Sequence, residues 1–403
     1  MRSVLLFATL LAGTAPGDDA KLQALLKDLD SGDSAARYKT IMALAEFGPK
    51  AEPAIPALIK SLETKNEDVR LAAALTLGKI GKKSLPALGK LLHDADADTR
   101  YYAIWAVGLV GPDAAGATRD LLEALSDKND GVRRKAVYSL GRVGADPKLA
   151  LPALFRTLED ANPDVRRTAA DALAKYGDKA VPQLVQGLTS KNALLLTEVL
   201  HALAAIGPDA KEAIPALRDL MLGNDPKMSA VAAQALSKIG KEAIGALSAG
   251  LNHDDVTVRR AAVVGLSTIG PEAVPALIEV TGHKDVEVRR LAVQRLGQMR
   301  VNDKSVAIAL GYALKDSDDA VRSNALTGLQ LLGTGAAPAL PQLIAGLKDK
   351  VDNNRSRCAL LLGRLGPAAV DAVPALTEVA ANDPNTTVRK QAQRALTLIQ
   401  QKK

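Results

Sequence analysis

The sequence predicts an all-α fold in which helix pairs stack in series as a solenoid. Three observations predict it. Apolar segments close on glycine at 48, 81, 111, 144, 177, 207, 240, 270, 333 and 366, and Arg300 and Gln400 hold the same register. The steps between these positions are 30, 33 or once 34 residues, a period that belongs to stacked supersecondary repeats. Within each step apolar residues recur at helical spacing twice over. No Ser/Gly linker, low-complexity tract or composition shift divides the chain after residue 20. About twelve repeats result, the first opening at KLQALLKDL (21–29), and residues 18–403 read as one continuous domain.

Each element of the repeat has a local reason. In the second helix, typified by DVRRTAADALAKYG (164–177), Val165, Ala169, Ala172, Leu173 and Tyr176 form one apolar stripe. Asp164 is placed to cap its start and Gly177 to end it in a left-handed turn. The first helix carries proline in its opening turn in eight copies: Pro56, Pro86, Pro152, Pro182, Pro215, Pro275, Pro341 and Pro374. Links of two lengths, GKKSLP (81–86) and GPDAKEAIP (207–215), account for the 30- and 33-residue steps. A lone pair cannot bury both its stripes, so neighbours must cover them. The second helices are expected to line a concave side and the first helices a convex one.

Composition sets limits on function. The chain is 47% hydrophobic but only 2% aromatic, so its core is built from Ala, Leu, Val and Ile. The formal charge of +7 is spread along the sequence without a polybasic block. A single cysteine, Cys358, excludes an intrachain disulfide and sits in an apolar helical slot, where it serves as a small buried hydrophobe. Residues 1–17 read as a signal peptide: Arg2, an apolar run Val4–Ala12, then small residues to a cleavage point after Gly17. That implies an exported bacterial protein, periplasmic or secreted; if residues 1–17 serve otherwise, it is cytoplasmic. The run is shorter than the roughly 20 residues of a permanent span, and no other segment reads as transmembrane.

The pattern PALxxLxDxxxxVRxxAxxALGxIG, carried by PALIKSLETKNEDVRLAAALTLGKIG (56–81) and LPALFRTLEDANPDVRRTAADALAKYG (151–177), resembles the HEAT repeat, in particular the phycobilisome-lyase-like variety. The resemblance covers residues 21–400. It implies a right-handed α-α superhelix, a HEAT-like solenoid that serves as a scaffold for other macromolecules.

The arginine of the VR motif recurs as Arg37, Arg70, Arg100, Arg133, Arg166, Arg259, Arg289, Arg322, Arg355 and Arg389. A cation in a helix's first turn opposes the macrodipole and needs compensation. Acidic residues stand two to four positions upstream in most copies: Asp68, Asp98, Asp130, Asp164, Asp255, Glu287, Asp319 and Asp352. A structural Arg–Asp ladder between repeats is the reading that the resemblance implies. Leu196 and Ser229 interrupt it in repeats six and seven, where a softer joint is expected around residues 190–240.

One repeat departs from its siblings. DTRYYAIWAVGLVG (98–111) holds Tyr101, Tyr102 and the chain's only Trp, Trp105. Ten, nine, six and two residues before each closing glycine lie slots that oppose the buried stripe. They contain Tyr38, Lys39 and Met42 in repeat one, Leu71 and Leu75 in repeat two, and Tyr101, Tyr102, Trp105 and Leu109 in repeat three. Repeat four adds Arg134, Lys135, Tyr138 and Arg142, and repeat five Arg167 and Lys175. Exposed rings bordered by arginine have the composition of a binding hot spot. The expected site is therefore Tyr38, Met42, Leu71, Leu75, Tyr101, Tyr102, Trp105, Arg134, Tyr138 and Arg142, holding a partner protein or extended peptide.

Catalysis finds little support. His93, His253 and His283 fall in inter-helix loops of different repeats, and His201 stands on a helix. There is no P-loop, G-x-S-x-G or dinucleotide fingerprint, and no His-Glu dipeptide of the kind by which deoxyhypusine hydroxylase, a HEAT-repeat enzyme, holds iron. No cofactor or metal is expected. Two alternatives remain beside the non-enzymatic scaffold: a lyase- or hydroxylase-like HEAT enzyme, and a nucleic-acid binder using Arg134, Lys135, Arg142, Arg167, Arg260 and Arg290. Diffuse charge and export argue against the second.

Overall fold

The computed structural model describes residues 16–29 and 33–401. The expected signal peptide, 1–17, lies outside them except for Pro16 and Gly17, which open the first helix. Among the described residues there are helices and turns but no strand. The α-helices run from α1 (Pro16–Asp28) to α24 (Thr386–Gln400), two per repeat, and short 3-10 turns fill most links between repeats. They gather into two compact bodies: Met1–Leu184 with Lys191–Ala202, and Val185–Ser190 with Leu203–Lys403.

In the first body the second helices stack in series: α2 (Ser34–Ala45), α4 (Glu67–Ile80), α6 (Ala97–Val110), α8 (Asp130–Leu140) and α10 (Pro163–Ala174). The first helices, such as α3 (Ile55–Leu62) and α9 (Pro147–Thr157), pack against them within each pair. In the second body α14 (Pro226–Ile239), α16 (Val256–Ile269), α18 (Val286–Gln298), α20 (Asp319–Leu332), α22 (Asp352–Leu365) and α24 stack the same way. Small residues allow this closeness. A Cβ placed on Gly297 of α18 would stand 2.5 Å from the Cα of Gly328 on α20, so the two backbones touch where any side chain would part them.

The stripe residues Val165, Ala169, Ala172 and Leu173 are buried, while Tyr176 is half-buried with its hydroxyl donating to Ala145 O at 3.3 Å. Two local expectations need correction. Asn162, not Asp164, caps α10, its Oδ1 accepting from the amides of Asp164 and Val165. Pro152 lies inside α9, because Asp146 and Pro147 start that helix a turn and a half earlier.

All ten closing glycines have positive φ, between 52° and 109°. Arg300 takes the same turn at φ 51°, the one non-glycine residue to do so among those described. These turns also govern two stretches, Ala193–Met221 and Asp352–Asn382, that have the length and hydropathy of a membrane span. Gly207 and Gly366 break each into two helices, the first of each 14 residues long. At ~1.5 Å per residue such a helix falls well short of a bilayer's hydrocarbon core.

The VR arginines cross the joints between repeats. Arg100 donates to Asp127 through Nε (2.7 Å) and Nη2 (2.9 Å), and its Nη1 takes the loop carbonyls of Asp94 and Ala95. Arg133 does the same with Asp160, Arg289 with Asp316, Arg322 with Asp349, and Arg355 with Asp383. Arg259 pairs with Asp285 and Arg70 with Asp98. The acids therefore belong to the following repeat. Except for Asp98 and Asp285, they stand six residues before its arginine rather than the expected two to four. From there each Asp also accepts the amide two residues on, as Asp127 does from Asn129 at 2.8 Å. Arg166 and Arg389 hold only their own loops: Arg166 binds the carbonyls of Asp160 and Ala161 with its Nε buried and unpartnered, and Arg389 those of Asp383 and Pro384.

The carboxyls of Asp127, Asp160, Asp316 and Asp383 are held below their ordinary value. Burial raises the Asp127 carboxyl, but the hydrogen bonds from Arg100 and the Asn129 amide outweigh it and hold the group below the ordinary 3.8. The Arg355 hydrogen bond does the same for Asp383 against a smaller burial effect. Folded values below unfolded ones mean that the stabilisation is complete above the unfolded value and lost as pH falls through the folded one. The urea midpoint should accordingly stay level from neutral pH to about 5 and fall steeply below about 4. Arg133→Ala should cost about 2–4 kcal/mol in denaturation, because it strands the buried Asp160 carboxylate. Arg166→Ala, in the same slot but leaving no bridged acid behind, should cost less than half of that. Arg300→Gly, which relieves a left-handed side chain, should raise stability by about 0.5–1 kcal/mol.

Candidate binding surface on the second helices

The residues ten and six places before each closing glycine form a half-open row along the second helices of the first body. Tyr38 and Met42 stand on α2, Leu71 and Leu75 on α4, Tyr101 and Trp105 on α6, and Arg134 and Tyr138 on α8. Trp105 is partly open to solvent, not enclosed beneath backbone. The stacked helices thus bring the predicted residues to one surface, with two exceptions in their detail.

Tyr102 is the first exception. It is 6% exposed, so it offers no free ring to a partner. Nine places before the closing glycine the helix faces the preceding repeat, where Ala72 is buried as well. The Tyr102 ring fills the joint between repeats two and three. The Arg70 guanidinium lies 5.3 Å from its centroid, Tyr101 meets it edge-on at 5.0 Å, and its hydroxyl reaches Glu67 at 3.5 Å. Burial, helped by Glu67, raises its phenol above the ordinary value. Arg70 sits over this ring with its Nε unpartnered and bridges to the exposed Asp98 at 3.1 Å. Leu109 also points at the preceding repeat, packed on the bare backbone of Gly78.

The second exception concerns what covers the remaining rings. Lys135 Nζ stands 4.3 Å from the Trp105 centroid, 5.0 Å from Tyr101 and 5.6 Å from Tyr138. Arg142 and Lys175 approach the Tyr138 ring too, at 5.6 and 5.5 Å. The rings, expected as anchors, each have one or more of the protein's own cations beside them. Each such contact returns ~0.5–1 kcal/mol at an exposed site. Two like charges some 8 Å apart repel by about 0.5–2 kcal/mol at effective dielectrics of 80 to 20. The rings therefore do little more than offset the repulsion of the cations that they gather. Lys135 and Lys175 were visible in the sequence as part of a basic strip; their convergence on one ring depends on stacking and was not.

None of these three cations forms an ion pair among the described residues, although Asp171, bound to His201, stands one turn before Lys175 in the sequence. Arg142 donates to Gly108 O at 3.0 Å and to Tyr138 Oη at 3.3 Å. Two neighbouring cations are matched: Arg134 with Asp164 at 3.5 Å and Arg167 with Glu198 at 3.2 Å. In the second body Arg260 pairs with Glu287 and Arg290 with Asp318.

The histidines fall into three roles. His253 and His283 stand where other loops have the bridging Asp, and their Nδ1 atoms accept the amides of Asp255 (3.1 Å) and Asp285 (3.0 Å). His201 pairs with Asp171 at 2.9 Å. His93 Nε2 lies 3.4 Å from Asp120 Oδ1, and with Glu123 these groups bring ligand atoms within 4.8 Å of one another at the surface. Cys358 is 1% exposed, and burial pushes its thiol up to about 12, which leaves it unreactive.

The repeats match a sequence family described as HEAT repeats, over residues 22–95, 85–158, 151–237, 244–330 and 308–397. No curated protein matches the sequence significantly. Among solved structures the chain is similar to Kap121p bound to Nup53p, at 15% identity and a TM-score of 0.59, covering 96% of this chain and 50% of that one. It is similar also to the karyopherin Kap121p bound to the extreme C-terminus of the protein phosphatase Cdc14p, at 15% identity and a TM-score of 0.60, covering 96% and 50%. Kap121p alone gives 16% identity and a TM-score of 0.58, covering 94% and 50%. The chain spans about half the length of these proteins, and at such identity the likeness is one of fold. With the repeat pattern matched over almost all of the described residues, the chain belongs to the HEAT-repeat family.

Proposed function

We propose that the protein is a non-enzymatic scaffold that captures an extended segment of a partner protein. The site is the second-helix surface of repeats one to four, the expected concave face. The observation that carries this reading is the half-open row Tyr101, Trp105 and Tyr138 on adjoining helices, continued by Leu71, Leu75 and Met42. Rings and large apolar side chains in a solvent-facing row add little to a solenoid whose core closes without them, and they have the composition of an interface anchor. The neighbours of similar fold include a karyopherin bound to the extreme C-terminus of a protein phosphatase, which is consistent with this use of the architecture. A lyase or hydroxylase would need convergent buried ligands or an activated nucleophile; the surface His93 group and the buried Cys358 supply neither.

The Tyr101→Ser/Trp105→Ser double variant should keep its thermal midpoint within a few degrees of the parent and lose at least about tenfold in crosslinked capture of partner proteins. Tyr102→Ser should behave in the opposite way, losing about 2–4 kcal/mol of stability because it empties the joint between two repeats. A large drop in the melting temperature of the double variant would make those rings core residues and end this reading.

A further inference from the structure

We infer that the segment captured by this surface is acidic, and that its carboxylates seat on Lys135, Arg142 and Lys175 around the Tyr138 ring. The inference rests on the scaffold reading and gives it a chemical class. All three cations lie within 5.6 Å of one ring centroid, so no two are further apart than twice that distance. No carboxylate pairs with any of them among the described residues, although their neighbours Arg134 and Arg167 are both paired. Three unneutralised charges gathered at one point are a site for an anion. A cationic ligand, which the aromatic faces would otherwise suit, meets Lys135 already seated between Tyr101, Trp105 and Tyr138.

The same geometry selects a peptide over a nucleic acid. Bases stack on free ring faces, and here the faces carry ammonium and guanidinium groups. A phosphate backbone needs a long track of unpaired cations. On the next repeats this row meets Asp164, Asp171 and Glu198, each already engaged with Arg134, His201 or Arg167. In the other direction it becomes apolar, with Leu71, Leu75 and Met42 half-open. A run of glutamates flanked by leucine or methionine fits both halves: carboxylates on the cradle, apolar side chains on repeats one and two.

Trp105, the only tryptophan, reports on the site directly. The full-length protein is titrated, with tryptophan emission as readout, against a synthetic Glu/Leu peptide, the same peptide with Gln for Glu, inorganic phosphate, and a single-stranded oligonucleotide. The Glu peptide should shift the emission and bind at least about tenfold tighter than its Gln counterpart, and its affinity should fall several-fold as salt rises to physiological strength. Lys135→Gln/Lys175→Gln should abolish that preference and leave the thermal midpoint level or slightly raised, since a repulsion has been removed. Equal binding of the Glu and Gln peptides overturns the inference, as does undiminished binding by the Lys variant, or tighter binding of the oligonucleotide or of phosphate alone. The scaffold reading falls separately, if the Tyr101/Trp105 variant captures partner proteins as well as the parent does.

Discussion

A two-helix repeat has more apolar surface than it can cover by itself. Every joint in this protein must be dry in its interior and still satisfy the polar ends of helices that meet there. At seven of the joints among the described residues one side chain does both. The guanidinium of the VR motif closes its own loop by binding two carbonyls and reaches across to the next repeat's aspartate, as Arg100 does to Asp94, Ala95 and Asp127. The planar fork makes this possible, because it presents several donors in fixed directions where an ammonium offers a point charge. Stacking of small aliphatic helices supplies the hydrophobic free energy. The arginine fixes the register in which it is collected.

The surface proposed for binding follows from that stacking. Residues one turn apart on a single helix become a two-dimensional array only when five second helices lie side by side. Position then decides role more than residue type does. Tyr101 and Tyr102 are adjacent in sequence, yet one borders solvent and the other is sealed under Arg70. Cation and ring likewise change meaning together: an aromatic face occupied by lysine ceases to be a greasy contact and becomes a mount for positive charge.

Most of the architecture was legible in the sequence, because it repeats. Period, helix polarity, proline in the first helices and glycine at the ends all follow from local chemistry sampled about twelve times, so that accidents in one copy average out. The inter-repeat arginine bridge was legible in kind. Most of its acids were misplaced, Asp98 excepted, since the nearest carboxylates along the chain, such as Asp130, are not the ones that a stacked neighbour presents, such as Asp160. The binding row was partly legible. Slots ten and six places before the glycine were correctly taken as open, whereas the slot nine places before it turns toward the previous repeat in α4 and α6, a tilt that no period reveals. The gathering of Lys135, Arg142 and Lys175 on one ring joins residues from two helices, and only coordinates can show it.

His283 bears on the joint between repeats eight and nine. Elsewhere two residues divide the work at the start of a second helix: Asp127 receives the arginine while Asn129 caps, and Asp160 and Asn162 do likewise. With an imidazole in the bridging place, Asp285 both caps α18 through the Glu287 amide and receives Arg259. Duplication of duties gives most junctions a margin against sequence drift. Here both duties fall on one carboxylate, with only the exposed Arg260–Glu287 pair beside it, so a single change at Asp285 would cost the joint its cap and its bridge together.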